Sequence, residues 1–101
     1  MQPQTVAPRP PQPIPPQPGL TYAGQPDGHW VQKNIERGEY ILLEDGSLWE
    51  IDRLERLNAS LWLRMSRITV LTSSRGSPGC DYLLVNVDDR EKAHAKCVGR
   101  R

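Results

Sequence analysis

The sequence has few of the residues and patterns that carry chemistry or cross a membrane. It contains no phenylalanine, two cysteines and two histidines, and its formal net charge is +1. No apolar run approaches the roughly 20 residues that a membrane-spanning helix needs. The near-neutral charge also gives no general attraction to nucleic acid. The opening stretch "MQPQTVAPRP" lacks the basic start and apolar core of a signal peptide. We therefore expect either a protein that is not exported or one whose export signal has been removed.

Recognisable catalytic motifs are missing as well. There is no Gly-x-Ser-x-Gly, phosphate-cradling glycine loop, Cys-x-x-Cys or His-Glu-x-x-His. Adjacent acids such as Asp88 and Asp89 are typical of solvated turns. Neither His29 nor His94 has a partner in the sequence pattern that would make it a general base. The sequence predicts a protein that is not an enzyme and that uses no cofactor or metal.

The N-terminal part is rich in proline and almost without charge. Eight of the ten prolines fall in the first 18 residues. Because such a segment cannot bury a core, we predict a flexible arm over residues 1–27, followed by a small folded domain over residues 28–101. Pro10, Pro13 and Pro16 have the Pro-x-x-Pro spacing that can dock on aromatic grooves, although this spacing is more common in stiff spacers.

The remaining residues form short alternating segments between turn signals, a pattern typical of β-structure. The predicted strands cover His29–Ile35, Arg67–Thr72, Cys80–Val87 and Lys92–Val98, with a hairpin in "EYILLEDGSLWEI". Between these strands, Leu54, Leu57 and Leu61 recur at helical spacing and predict a single helical turn or an irregular connection. The pattern predicts a mainly β fold, namely a small SH3-like barrel of about five antiparallel strands.

The predicted core follows from a two-residue turn at Asp45-Gly46. That turn pairs Leu42 with Trp49 and puts Tyr40 and Ile51 on the same face. The full predicted core is Tyr40, Leu42, Trp49, Ile51, Leu61, Ile68, Val70, Leu84 and Val85.

A second hairpin, turning at Asp88-Asp89, would place Cys80 opposite Cys97 and make them candidates for a disulfide. The alternative is two partly buried thiols in a cytosolic protein. A metal site of Cys80, His94 and Cys97 is disfavoured. His94 and Cys97 would point to opposite faces of a strand, and a fourth ligand is missing.

Binding is the function class that the residues favour. Leu61-Trp62-Leu63 is a short apolar run, and Trp30 has no assigned core role. We therefore predict Trp30, Leu61, Trp62 and Leu63 as protein-binding candidates, together with the three arm prolines, although a core position is more common for each tryptophan.

The alternative function is binding of single-stranded nucleic acid. Trp62 and Tyr82 could stack bases, and Arg64, Arg67 and Arg75 could contact phosphates. The near-neutral net charge argues against this alternative.

Four stretches resemble a family of short, often exported bacterial proteins of uncharacterised function. They are "LEDGSLWEI", the tryptophan in "SLWL", "ITV" and "YLLVNVDDREKAHAK", spread from Trp30 to Val98. The resemblance implies an SH3-like β-barrel and an envelope location, and it brings no catalytic residues. The proline arm, Cys80 and Cys97 depart from the family pattern. We predict a non-catalytic module that docks on a larger protein assembly of the bacterial cell envelope, in the periplasm or envelope, or in the cytoplasm if the cysteines are reduced.

Overall fold

A computed structural model describes residues 19–100 of the chain. The predictions for residues 1–18, including the docking role of Pro10, Pro13 and Pro16, lie outside the described residues.

Six antiparallel strands form a closed barrel in the order β1-β2-β3-β6-β5-β4, and β4 pairs back with β1. The strands are β1 His29–Ile35, β2 Tyr40–Leu43, β3 Ser47–Ile51, β4 Arg67–Thr72, β5 Tyr82–Asn86 and β6 Glu91–Arg100. The predicted small antiparallel barrel is confirmed, with six strands instead of about five. The predicted helical turn is also present, as a 3-10 turn at Arg53–Glu55 followed by helix α1 at Arg56–Ala59. Within residues 19–100, no helix has the length and apolar character needed to cross a membrane.

The β2–β3 hairpin differs by one residue from the predicted register. Ile41, and not Leu42, faces Trp49. The reason is that the loop holds three residues, 44–46, and of these only Gly46 has a positive φ, 85°. A shift of one residue moves every side chain of a strand to the other face of the sheet. Ile41 is therefore fully buried, whereas Leu42 is half-buried.

The observed core contains about half of the predicted one. Trp49, Ile51, Ile68, Val70 and Leu84 are buried as predicted. The structure corrects the other four: Tyr40, Leu42 and Val85 are half-buried, and Leu61 is exposed. The side chains that complete the core are Val31, Ile41, Leu43, Ala59, Trp62, Ala93, Ala95 and Cys97.

The β5–β6 hairpin has the predicted register. Tyr82 faces Ala95, and Leu84 faces Ala93. Large side chains thus lie opposite small ones, which is why size complementarity predicted this pairing correctly.

The predicted disulfide is not formed, and both cysteines are buried free thiols. Cys80 lies outside β5, which begins only at Tyr82. The place beside Cys97 is taken by Leu20, whose N–H donates to the Cys97 carbonyl at 2.7 Å. Burial, with a smaller contribution from the charge of Asp52, raises the pKa of Cys80 to about 11.

Residues 19–27, which we call the strap, run from β6 to β4 on the surface of the barrel. Leu20 pairs with β6, and the Pro26 carbonyl accepts a hydrogen bond from Val70 N–H at 2.8 Å. Between them, the ring of Tyr22 packs edge-on against Trp49 with a centroid distance of 5.1 Å. The sequence assigns these residues to the arm, whereas the structure places them against the barrel.

Candidate binding surface

Five large apolar side chains are exposed on the connection between β3 and β4. They are Leu54, Leu57, Leu61, Leu63 and Met65, and their exposed fractions run from 60% for Met65 to 86% for Leu54. We call these five residues the leucine surface. Clustered exposed apolar residues of this kind mark interaction sites in soluble domains.

The leucines point outward because the inner side of the connection is already filled. Ala59 and Trp62 are buried, with exposed fractions of 0% and 2%. Leu54, Leu57 and Leu61, spaced three and four residues apart, lie on the opposite side. The spacing therefore predicted the helical turn correctly but not which of its faces is buried, since Leu61 is exposed and belongs to the leucine surface.

Asn34 holds the connection in this orientation. Its side-chain amide donates to the carbonyls of Ala59 at 2.9 Å and Trp62 at 3.0 Å. Its side-chain oxygen accepts a hydrogen bond from Gly38 N–H at 2.7 Å. Gly38 approaches the connection so closely that a Cβ there would lie 2.6 Å from the Arg56 carbonyl oxygen. The β1–β2 turn therefore clamps the backbone beneath the leucines.

Asp52 fixes the start of the connection. Its carboxylate accepts hydrogen bonds from Leu54 N–H at 3.1 Å and from the N–H and hydroxyl of Ser77 at 2.9 and 2.8 Å. Burial opposes ionisation of this carboxyl group, but the hydrogen bonds from Ser77 and Leu54 hold its pKa below the usual range. The charged carboxylate thus ties the connection to the loop before β5.

The leucine surface is bordered by positive charge. Arg53 and Arg64 are exposed, and within residues 19–100 neither forms an ion pair. Arg56 is engaged by two glutamates. The acidic residue of the same segment, Glu55, is occupied by His94 at 2.8 Å. The free charge beside the apolar side chains is therefore cationic.

The predicted binding residues fall in different places. Leu61 and Leu63 are exposed and belong to the leucine surface. Trp30 is 39% exposed on β1, where it pairs with Arg67 of β4. Trp62 is buried and its indole N–H donates to Glu91 at 3.2 Å, so it is not available to a partner.

The burial of Trp62 also argues against the nucleic-acid alternative. Trp62 has no exposed face on which a base could stack. Tyr82 packs edge-on against Trp49 with a centroid distance of 5.2 Å. Of the proposed stacking pair, Trp62 therefore lies in the core and Tyr82 packs against it.

A polar cluster joins the strap to the barrel. His29 contacts Glu44 through Nδ1 at 2.6 Å and the Tyr22 hydroxyl through Nε2 at 3.0 Å. The Tyr22 hydroxyl donates to Asp45 at 2.5 Å. Burial and the hydrogen bond to Asp45 raise the pKa of Tyr22 far above its usual value of 10.0, so the phenol keeps its proton.

Three side chains of this cluster also have a spacing that would suit a metal ion. Ligand atoms of His29, Glu44 and Asp45 lie within 4.8 Å of one another. Both nitrogens of His29 are engaged, with Glu44 on one side and with Tyr22 and the Gln25 carbonyl on the other. The cluster is therefore complete as a hydrogen-bonded anchor for the strap.

His94 lies in a second cluster, which sequence reasoning missed. Its Nε2 contacts the Ser73 hydroxyl at 2.8 Å, and its Nδ1 contacts Glu55 at 2.8 Å. Both ring nitrogens are thus directed to these partners and not to Cys80 and Cys97, as the disfavoured metal site would require. The three residues come from distant segments without a shared motif, so no sequence signal could have joined them.

Comparisons of the chain with protein-family models, with curated proteins and with solved structures found no match.

Proposed function

We propose that this protein is a binding module that docks on a larger protein assembly through the leucine surface. The observation that carries the proposal is the exposure of five large apolar side chains, 60% to 86% each, on a backbone that is firmly held. Removing such a side chain from water contributes about 1.5–3 kcal/mol. A pre-ordered backbone also reduces the conformational entropy that binding would cost.

The arginines beside the leucine surface indicate the kind of partner. Arg53 and Arg64 favour a protein surface whose apolar patch is flanked by aspartate or glutamate side chains. A second copy of this chain would bring like charges together, which disfavours self-association. The partner is therefore a different protein with an acidic border.

The envelope location is part of the proposal and rests on the family resemblance. A Cys80–Cys97 bridge would have been a second argument, but both thiols are free in the structure. The thiol state of the protein recovered from its own host tests the location, because reduced cysteines favour the cytoplasm.

The experiment compares a surface variant with a matched control in the native host. Leu57→Ser combined with Leu61→Ser removes two of the most exposed leucines. Leu71→Ser changes a leucine on β4, 44% exposed, outside the leucine surface. After crosslinking in cells and quantitative mass spectrometry, wild type and Leu71→Ser should recover the same partner. We expect the double variant to lose at least about tenfold of that recovery, equivalent to about 1.4 kcal/mol of binding.

A further double variant tests the electrostatic part of the proposal. Arg53→Glu combined with Arg64→Glu should weaken recovery of the same partner, with the larger effect at low salt. Equal recovery by the Leu57/Leu61 double variant, or a monodisperse free monomer in host extract, would contradict the proposal. A dimer in light scattering would show that the leucine surface binds a second copy of the chain instead. Sedimentation with anionic lipid vesicles would show that it binds a membrane instead.

A further inference from the structure

Ser73, His94 and Glu55 form a linear hydrogen-bonded array on the outside of the barrel. The Ser73 hydroxyl is 2.8 Å from His94 Nε2, and His94 Nδ1 is 2.8 Å from Glu55 Oε1. The second carboxylate oxygen of Glu55 accepts the backbone N–H of His94 at 2.5 Å. The glutamate is therefore held to His94 at two points.

The array fixes the state of the imidazole ring. A carboxylate only accepts hydrogen bonds, so the proton of the neutral ring must lie on Nδ1. This leaves the lone pair of Nε2 facing the Ser73 hydroxyl. A hydroxyl, a base and a group that orients the base, in hydrogen-bond contact, are the parts of a nucleophilic site.

We propose that Ser73 is the nucleophile of a hydrolytic site for small carboxylic esters. His94 acts as its general base, and Glu55 is a positioning residue. Ser73 is half-buried in a shallow cleft that also includes Ser74 and Tyr82. The open shape suits a small acyl group. The proposal is independent of the leucine surface, and it differs from the sequence-based prediction that the protein is not an enzyme.

A donor for the developing charge is close to the nucleophile. The backbone N–H of Arg75 donates a hydrogen bond to Ser73 Oγ at 3.3 Å. In the proposed reaction this N–H shifts from Oγ to the oxyanion of the tetrahedral intermediate formed at Ser73.

The reaction balances with water as the second reactant. Ser73 Oγ bonds to the carbonyl carbon of the ester while its proton moves to His94 Nε2. The bond from that carbon to the alcohol oxygen then breaks, and the alcohol leaves with the proton. Water, activated by the same nitrogen, attacks the acyl-serine and releases the carboxylic acid.

The loop that carries Ser73 is anchored without this array. Ser73 N–H donates to the Asp81 carbonyl at 2.8 Å, and Cys80 N–H donates to the Ser77 carbonyl at 2.8 Å. Ser77 is also bonded twice to Asp52. The loop is therefore held at several points besides the contact between Ser73 and His94.

The test is covalent labelling of the full-length chain with a fluorophosphonate, followed by intact-mass measurement and peptide mapping. We expect one phosphonyl group on Ser73, formed as fluoride leaves, and none in Ser73→Ala. His94→Gln should slow labelling by about 100-fold, the usual contribution of a general base. The control is Gln32→Ala, an exposed change on β1 outside the array and the cleft, and it should leave the rate unchanged.

A second set of measurements separates positioning from simple structural support. Glu55→Gln should slow labelling, and Glu55→Asp should restore part of the rate because it returns the carboxylate. Hydrolysis of 4-nitrophenyl acetate should show an initial burst of one acetyl group per chain.

Labelling at a residue other than Ser73, an unchanged rate in folded His94→Gln, or no labelling of folded wild type would each overturn the proposal. Folding of each variant is checked by thermal unfolding. The pair Glu55→Gln and Glu55→Asp supplies the answer if His94→Gln does not fold. The Leu57/Leu61 double variant should be labelled like wild type, so this proposal and the docking proposal can fail separately.

Discussion

His29 is buried and Asp45 is half-buried, and burial opposes the ionisation of both side chains. Burial disfavours the charge on His29, but hydrogen bonds to a backbone carbonyl and to Glu44 hold its pKa above 6.5. Burial likewise disfavours the charge on Asp45, but hydrogen bonds from Ser47 and Tyr22 hold its pKa below 3.8. Both groups are therefore charged together in a weakly acidic range.

This arrangement predicts how stability depends on pH. A raised histidine pKa contributes stability below the unfolded pKa of about 6.5, and this contribution is lost as the pH rises through the folded pKa. A lowered aspartate pKa contributes above about 3.8 and is lost as the pH falls through the folded pKa. We expect His29→Gln to destabilise the protein by about 1 kcal/mol more at pH 5 than at pH 8.

Urea unfolding at the two pH values measures the difference. Gln32→Ala, an exposed change on the same strand without a titrating group, is the control and should show no pH-dependent effect. An equal loss of stability for His29→Gln at both pH values would show that the charge on the ring does not contribute.

At the scale of elements, the hairpins show what the sequence could and could not predict. The β5–β6 register followed from pairing large with small residues, and it was correct. The β2–β3 register failed because Asp45-Gly46 suits both a two-residue and a three-residue loop. Loop length is decided by which strand face packs inward, and that depends on residues elsewhere in the barrel.

The connection between β3 and β4 shows the same limit of sequence-based prediction for the binding surface. The spacing of Leu54, Leu57 and Leu61 predicted a turn of helix. Which face pointed inward depended on Asn34 and Gly38, some 20 residues earlier in the chain. The alignment of Ser73 with His94 likewise exists only after the strands have paired. Such contacts leave no local pattern in the sequence.

Gly38 provides the test at this scale. Its φ is +89°, and an added Cβ would meet the Arg56 carbonyl at 2.6 Å and Ser60 nitrogen at 2.7 Å. Gly38→Ala should therefore cost about 2–4 kcal/mol, from backbone strain plus overpacking. Gly28 has a similar φ of +83° with no atom within 4 Å of the added Cβ. Gly28→Ala should show the strain alone, about 1–2 kcal/mol.

The two alanine variants are compared by chemical denaturation. If they lose the same stability, the close approach of Gly38 to the connection contributes nothing, and the clamp beneath the leucine surface would have to be attributed to Asn34 alone.

At the scale of the whole molecule, the strap contributes Tyr22 to the aromatic part of the core. The ring packs edge-on against Trp49 and Tyr82, with centroid distances of 5.1 and 6.4 Å. Its backbone N–H donates to the Tyr82 hydroxyl at 2.8 Å. A small barrel gains much from each added aromatic contact, because its own core is limited.

Tyr22→Phe keeps the ring and removes the hydroxyl contacts to Asp45 and His29, so we expect a loss of about 1–2 kcal/mol. Tyr22→Ala also removes the ring and should lose about 3 kcal/mol or more. Thermal and urea unfolding of the full-length variants measure both losses. An unfolding curve of Tyr22→Ala that matches wild type would mean that the strap does not support the barrel in solution.

The closure of the barrel limits how a partner can be recognised. Every strand from β1 to β6 has a neighbour on each side, and within residues 19–100 the position beside Cys97 is covered by Leu20. A ligand therefore cannot extend the sheet by adding a strand of its own. Recognition is left to side chains on the connections, and a bound partner should therefore form no new main-chain hydrogen-bond ladder along a strand of the barrel.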